Sequence, residues 1–241
     1  NDTIQGATLA VTNGTLVNAA TASISGLQGS GGSRSLNAQL DNQGTIIITA
    51  DNLDLGGTFA NFSAGTLAGG TYDLAGTFRF DGANVTTLAA SLILNGSGAA
   101  IVNQSDDNGL AGLATIATGG SFTLRNGRDF TTSGNFQNQG ILTLESGSIF
   151  NVSNGYTQSA TGALNISLEG TVVSVNTGQL VVAQNASLDG ALNISLTGGF
   201  SPSVGDSFAI LTDGSRSGVF ATISGLDPGN GVILRADYNP N

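Results

Sequence analysis

The chain has 241 residues, 37 of them Gly, and its charge comes from 16 acidic residues and six Arg, a net of −10. With no His, Cys, Met, Trp or Lys, it cannot carry thiol or imidazole chemistry, haem ligation, His/Cys zinc sites, disulfides or Lys isopeptide cross-links. Six scattered Arg also exclude the basic patches that hold nucleic acid or an anionic membrane surface.

Hydrophobic residues make up 39% of the chain and charged ones 9%, a balance that buries a core rather than one that leaves a chain disordered. No apolar run approaches the roughly 18–20 residues of a spanning helix. The sequence opens at Asn1 rather than Met, which is read as a processed or partial N-terminus. A Lys-free, Cys-free composition rich in Thr, Asn and Gly points to an exported protein, extracellular or on a bacterial cell surface.

Apolar residues recur at spacing two in short runs, and nowhere hold a helical period for three turns. In chain order, an alternating N-terminal segment carries Ile4, Leu9 and Val11. Strands follow at 45–49 (TIIIT), 77–80 (TFRF), 121–125 (SFTLR) and 142–144 (LTL). Asn-Gly at Asn13, Asn95, Asn108, Asn126, Asn154 and Asn230, and Asp-Gly at Asp81, Asp189 and Asp213, mark the turns between strands. Residues 29–32 are the most linker-like stretch, and no domain boundary stands out.

Self-similarity is the strongest signal. GALNISL occurs at Gly162 and again at Gly190, an offset of 28 residues. Asn-Gln-Gly before a β-rich run occurs at Asn42 and Asn138, and Gly-Thr-apolar recurs seven times along the chain. Degenerate all-β repeats of this length, with Gly and Asn at corners, predict a parallel β-solenoid of roughly eight to twelve coils. The whole of residues 1–241 is read as one solenoid domain, with 1–20 as a strand-donating or capping segment. Thr and Ser suit the outward face because, stacked along the axis, they build no ladder of like charges.

Candidate chemistry is sparse. Asp106 and Asp107 form the best carboxylate cluster, and paired acids do serve glycosidases. Adjacent strand residues point to opposite faces, however, so a solvated loop is the simpler reading. A calcium site at Asp106, Asp107 and Asn108, or around Asp51 and Asp54, has suitable oxygen ligands but matches neither an EF-hand loop nor the GGxGxDxUx nonapeptide repeat. The expectation is therefore no catalytic residue, no cofactor and no metal. Asn-x-Ser/Thr triplets begin at Asn61, Asn84, Asn151, Asn165, Asn185 and Asn193. Asn165 and Asn193 lie in strand-like runs and fit ladder roles as well as glycan attachment. Phe59, Phe62, Phe78 and Phe80 alternate beside Gly-Thr corners, which favours core stacking over sugar platforms.

Residues 57–82 (GTFANFSAGTLAGGTYDLAGTFRFDG), 109–115 (GLAGLAT), 126–168 and 198–225 (GGFSPSVGDSFAILTDGSRSGVFATISG) resemble the β-strand-repeat surface proteins of bacteria, of the autotransporter passenger type. The resemblance implies a right-handed β-helix outside the cell and no particular activity, since such passengers serve as adhesins, matrix components and scaffolds. In related sequences the run ending in Tyr-Asn-Pro-Asn continues into a further strand and often an anchor domain.

The function expected is a non-enzymatic extracellular structural subunit that self-assembles end to end into a filament or surface layer. Ile4, Leu9, Val11 and Tyr238 are the candidate self-assembly residues, and the partner is another copy of the chain. The alternative is an adhesin passenger that binds glycans or host surfaces through its lateral face. Neither reading involves nucleic acid or membrane insertion.

Overall fold

The structure, a computed structural model, describes residues 6–29, 32–172, 175–229 and 231–238. These residues contain strands and no helix, and nearly all strand pairs are parallel, an arrangement compatible with a β-solenoid. The chain divides into two compact units, Asn1–Leu113 and Ala114–Asn241.

The first unit holds β1 (Ala7–Asn18), β2 (Ser23–Gly26), β3 (Arg34–Asn42), β4 (Thr45–Ile48) and β5 (Asn52–Leu55). After them come β6 (Phe62–Ser63), β7 (Thr66–Leu74), β8 (Thr77–Phe80), β9 (Thr87–Asn95) and β10 (Ala100–Val102). One parallel sheet runs β1-β3-β5-β8-β10, and a second runs β2-β4-β7-β9. The sole antiparallel pair among the described strands is the short β6 against β7. A bulge interrupts the β7–β9 pairing between Ala68 and Thr71, where Gly69 and Gly70 both take positive φ.

The period of two in the sequence sets which side chains meet. Strand β8 alternates half-buried Thr77 and Arg79 with fully buried Phe78 and Phe80. Parallel register then stacks inward residues into columns. Leu9, Leu36, Leu55 and Phe80 form one, and Ile24, Ile46, Tyr72 and Leu92 another. Phe59 packs edge-on against Tyr72, Phe78 and Phe80, and the half-buried Phe62 lies 5.2 Å from Phe80, so these rings form core.

The second unit has three parallel sheets. The first is β11 (Thr115–Ile116), β14 (Phe136–Asn138), β17 (Tyr156–Gln158), β20 (Asn185–Leu188) and β23 (Ser215–Gly218). The second is β12 (Ser121–Arg125), β15 (Ile141–Leu144), β18 (Ala163–Leu168), β21 (Ala191–Leu196) and β24 (Thr222–Ser224). The third is β13 (Phe130–Thr131), β16 (Ile149–Val152), β19 (Gln179–Val182) and β22 (Leu211–Thr212). The two GALNISL repeats are the neighbours β18 and β21, paired from Ala163 with Ala191 through Leu168 with Leu196. Their inward columns are apolar, as in Phe122, Leu142, Leu164, Leu192 and Ile223.

Parallel sheets are usually covered on both faces. Here the outward row Thr143, Asn165, Asn193 and Ser224 is neutral and polar, and it satisfies itself. Asn165 Nδ2 donates to Thr143 Oγ1 at 3.1 Å, Asn193 Nδ2 to Asn165 Oδ1 at 2.8 Å, and Ser224 Oγ to Asn193 Oδ1 at 2.7 Å.

The two Asn-Gln-Gly tripeptides make equivalent corners. Asn42 and Asn138 are fully buried, and each side chain turns inward to donate to the backbone of a neighbouring strand. Asn138 Nδ2 reaches Ala163 O at 2.9 Å and, at 3.3 Å each, Tyr156 Oη and Gln158 Oε1. The Gly of each tripeptide is needed for close approach. A Cβ on Gly44 would strike the carbonyls of Ala19 and Ala22, and one on Gly140 those of Gly120 and Ala117.

Candidate functional site

The first strands of unit one present open edges. Strand β1 pairs only with β3 and β2 only with β4, so among the described residues their other sides lack strand partners. The inward row of these strands is therefore covered on one side alone. Leu9 sits over buried Leu36 yet is 56% exposed, and Ile24 sits half-buried over the fully buried Ile46. Val17 and Leu27 are also large apolar side chains left in solvent. Residues 6–29 contain no charged side chain.

The two edges differ in regularity. The β1–β3 register shifts between Ala10 and Thr15, across the Asn13-Gly14 turn, and half-buried Val11 falls in that irregular stretch. Strand β2, Ser-Ile-Ser-Gly, pairs without interruption. Ile4, the first candidate from the sequence, lies outside the described residues.

The last strands of unit two are also open: among the described residues, β22, β23 and β24 pair only with β19, β20 and β21. Beside them lies a cavity of about 670 Å³, with Leu168, Leu192, Ile194, Phe208, Ile223 and Leu234 among its walls. Residues 231–238 form part of the lining and alternate exposed and half-buried, although no ladder pairs them with a neighbouring strand.

Tyr238, the other C-terminal candidate, is half-buried within this unit. Its hydroxyl accepts from Phe220 N at 3.3 Å, and the Arg216 guanidinium lies 5.0 Å from its ring centre. Arg216 also pairs with the nearly buried Asp213 at 3.5 Å. It stands in register with the fully buried Ala186, so β23 carries a charge on its inward row, a device that discourages strand addition. Strand β24, Thr-Ile-Ser, carries no charge.

The carboxylates singled out by sequence are engaged elsewhere. Asp106 has positive φ in a turn, and it shares Arg79 with Asp54, which the guanidinium meets at 3.1 Å. Asp107 Oδ2 accepts from Asn103 Nδ2 at 3.0 Å, and Asp51 pairs with Arg34 at 2.9 Å. Asp106 and Asp107 thus sit in a self-bonded turn rather than across a cleft. Among the described residues no three His, Cys, Asp or Glu side chains gather as a metal-holding group, and no helix is long and apolar enough to cross a membrane. Burial pushes the phenols of Tyr72 and Tyr156 well above their ordinary range, and Asn138 pulls Tyr156 part of the way back.

The glycan triplets separate by environment. Asn61 uses its side-chain amide as a backbone substitute: Oδ1 accepts from Asn42 N at 2.6 Å, and Nδ2 donates to the carbonyls of Asn42 and Ala68. Asn165 and Asn193 are ladder members, whereas Asn84 is exposed. Compared with protein families, curated proteins and solved structures, the chain matches none.

Proposed function

We propose that the chain is a non-enzymatic extracellular structural protein, a β-solenoid subunit that self-assembles end to end into a filament or surface layer. The observation that carries this reading is the open, uncharged edge at β1 and β2, where Leu9, Val17 and Leu27 stand in solvent. Unpaired parallel edges template further strands, and a head-to-tail contact between unlike ends propagates unless something closes it. In a chain with a net charge of −10, a charge-free edge is also where copies can approach without repulsion.

The fold we assign in this reading is a right-handed parallel β-helix, the hand that parallel crossovers take in about 98% of cases. Parallel neighbours lie from 19 residues apart (Leu36 and Leu55) to 31 (Leu180 and Leu211), which supports about nine coils, within the eight to twelve expected from sequence.

Electron microscopy of the native protein at neutral pH, with sedimentation across a concentration series, tests the proposal. Filaments with an axial repeat near ~40–60 Å, the length those coils would span, are expected. Leu9→Asp should shorten or abolish them. Monomers at every concentration would overturn the assembly reading, and monomers that retain a glycan on an array would put the lateral adhesin in its place.

A further inference from the structure

We infer that the joint between copies is a parallel pairing of β2 of one copy with β24 of the next, with Ile24 beside Ile223; this rests on the end-to-end reading above. Each open end offers more than one strand, and in each all but one are hindered or minimal. At the first end, the β1 edge is broken by the shift between Ala10 and Thr15. At the other, β23 carries inward Arg216, held by Asp213 and Tyr238, and its last residue, Gly218, has positive φ. Strand β22 pairs over just two residues. That leaves two regular, uncharged edges, Ser23-Ile24-Ser25 and Thr222-Ile223-Ser224.

These two edges are interchangeable in pattern. Each has a hydroxyl, an Ile and a hydroxyl, and in each the Ile is half-buried while the hydroxyl residues are exposed. Ile24 is covered by Ile46 on its own side and Ile223 by Leu192; among the described residues neither has a strand partner on the other side, where Ile223 faces the cavity that residues 231–238 help to wall. Pairing them closes both columns at once and sets Ser25 beside Ser224, which carries the outward hydroxyl and amide row into the next copy. The coil that would be covered, residues 6–29, is the size of one side of an ordinary protein interface, roughly 20–30 residues. The partner is therefore a second copy of this chain.

The chain has no Cys, so disulfides report on this register without background. Parallel neighbours place Cα atoms about 4.8 Å apart, within the range of roughly 4.4–6.8 Å that a disulfide spans. Full-length Ser25→Cys mixed with full-length Ser224→Cys, under mild oxidation, should give a covalent dimer at least about tenfold faster than Asn13→Cys mixed with Ser224→Cys, because assembly raises the local thiol concentration. Ser23→Cys with Thr222→Cys should do the same without touching the Ser224–Asn193 bond. Filaments in the microscope with neither pair cross-linking would overturn this register while leaving end-to-end assembly standing. Neither filaments nor cross-links would overturn both.

Discussion

Replacing Asn138 by Ala should destabilise unit two far more than the same change at Asn165, although both are asparagines on strands of one unit. Asn138 is fully buried and donates to Ala163 O at 2.9 Å, with two longer contacts at 3.3 Å to Tyr156 Oη and Gln158 Oε1. Losing the short bond costs about 1 kcal/mol net, and the space left by the missing side-chain atoms adds about 1–2 kcal/mol. Against this, Asn138 Oδ1 is buried without a partner, and removing it returns up to about 1 kcal/mol. The sum is a loss of about 2 kcal/mol. Asn165 is half-buried on the outward row, where water replaces its bonds to Thr143 and Asn193, so its truncation should cost below about 0.5 kcal/mol. Guanidinium unfolding followed by tyrosine fluorescence reads the difference, since Tyr156 touches Asn138 and the chain has no Trp. Equal losses, or a larger one at Asn165, would refute the claim that the buried corner amide does more for stability than the exposed ladder.

Three further outcomes are expected. Gly140→Ala should destabilise by more than about 2 kcal/mol in the same assay, because the new Cβ meets two backbone carbonyls that cannot swing aside. Arg79→Ala should cost under about 1 kcal/mol, and less still in molar salt, because Asp106 is largely exposed and the pairs with it and Asp54 are screened. Stability should fall as pH rises above about 10. Above that pH the unfolded chain releases the phenolic protons of Tyr72 and Tyr156 while burial makes the folded chain keep them, so the unfolded state gains. Thermal melts across alkaline pH, repeated on Tyr156→Phe, check this: the variant should show a shallower fall.

Much of this was legible because the sequence repeats where the structure stacks. The offset of 28 between the GALNISL copies is the chain length between β18 and β21, and the shared Asn-Gln-Gly marks two corners with the same inward amide. The Phe59, Phe78 and Phe80 core followed from alternation alone. Other features had no such signal. The role of Asn61, whose amide stands in for backbone beside the Gly69-Gly70 bulge, depends on a gap that only tertiary pairing creates. Arg216 reads as a surface cation in Ser-Arg-Ser-Gly. Its inward position comes from register with Ala186, and Asp213 and Tyr238 make it tolerable. Asp106 and Asp107 lie exposed in a turn, in keeping with the solvated loop read from sequence, but the pairing of Asp106 with Arg79 had no signal there.

The regular distance between paired strands also governs how the molecule can be made. In the described parallel pairs, the later strand docks on one that left the ribosome only 19 to 31 residues earlier, as Leu55 on Leu36 or Leu211 on Leu180. Loop closure rises only logarithmically with length, so every docking step carries nearly the same entropic penalty. No step waits for a distant part of the chain. A polypeptide built this way can acquire its structure progressively from whichever end first emerges into solution, each finished layer serving as the mould for the next.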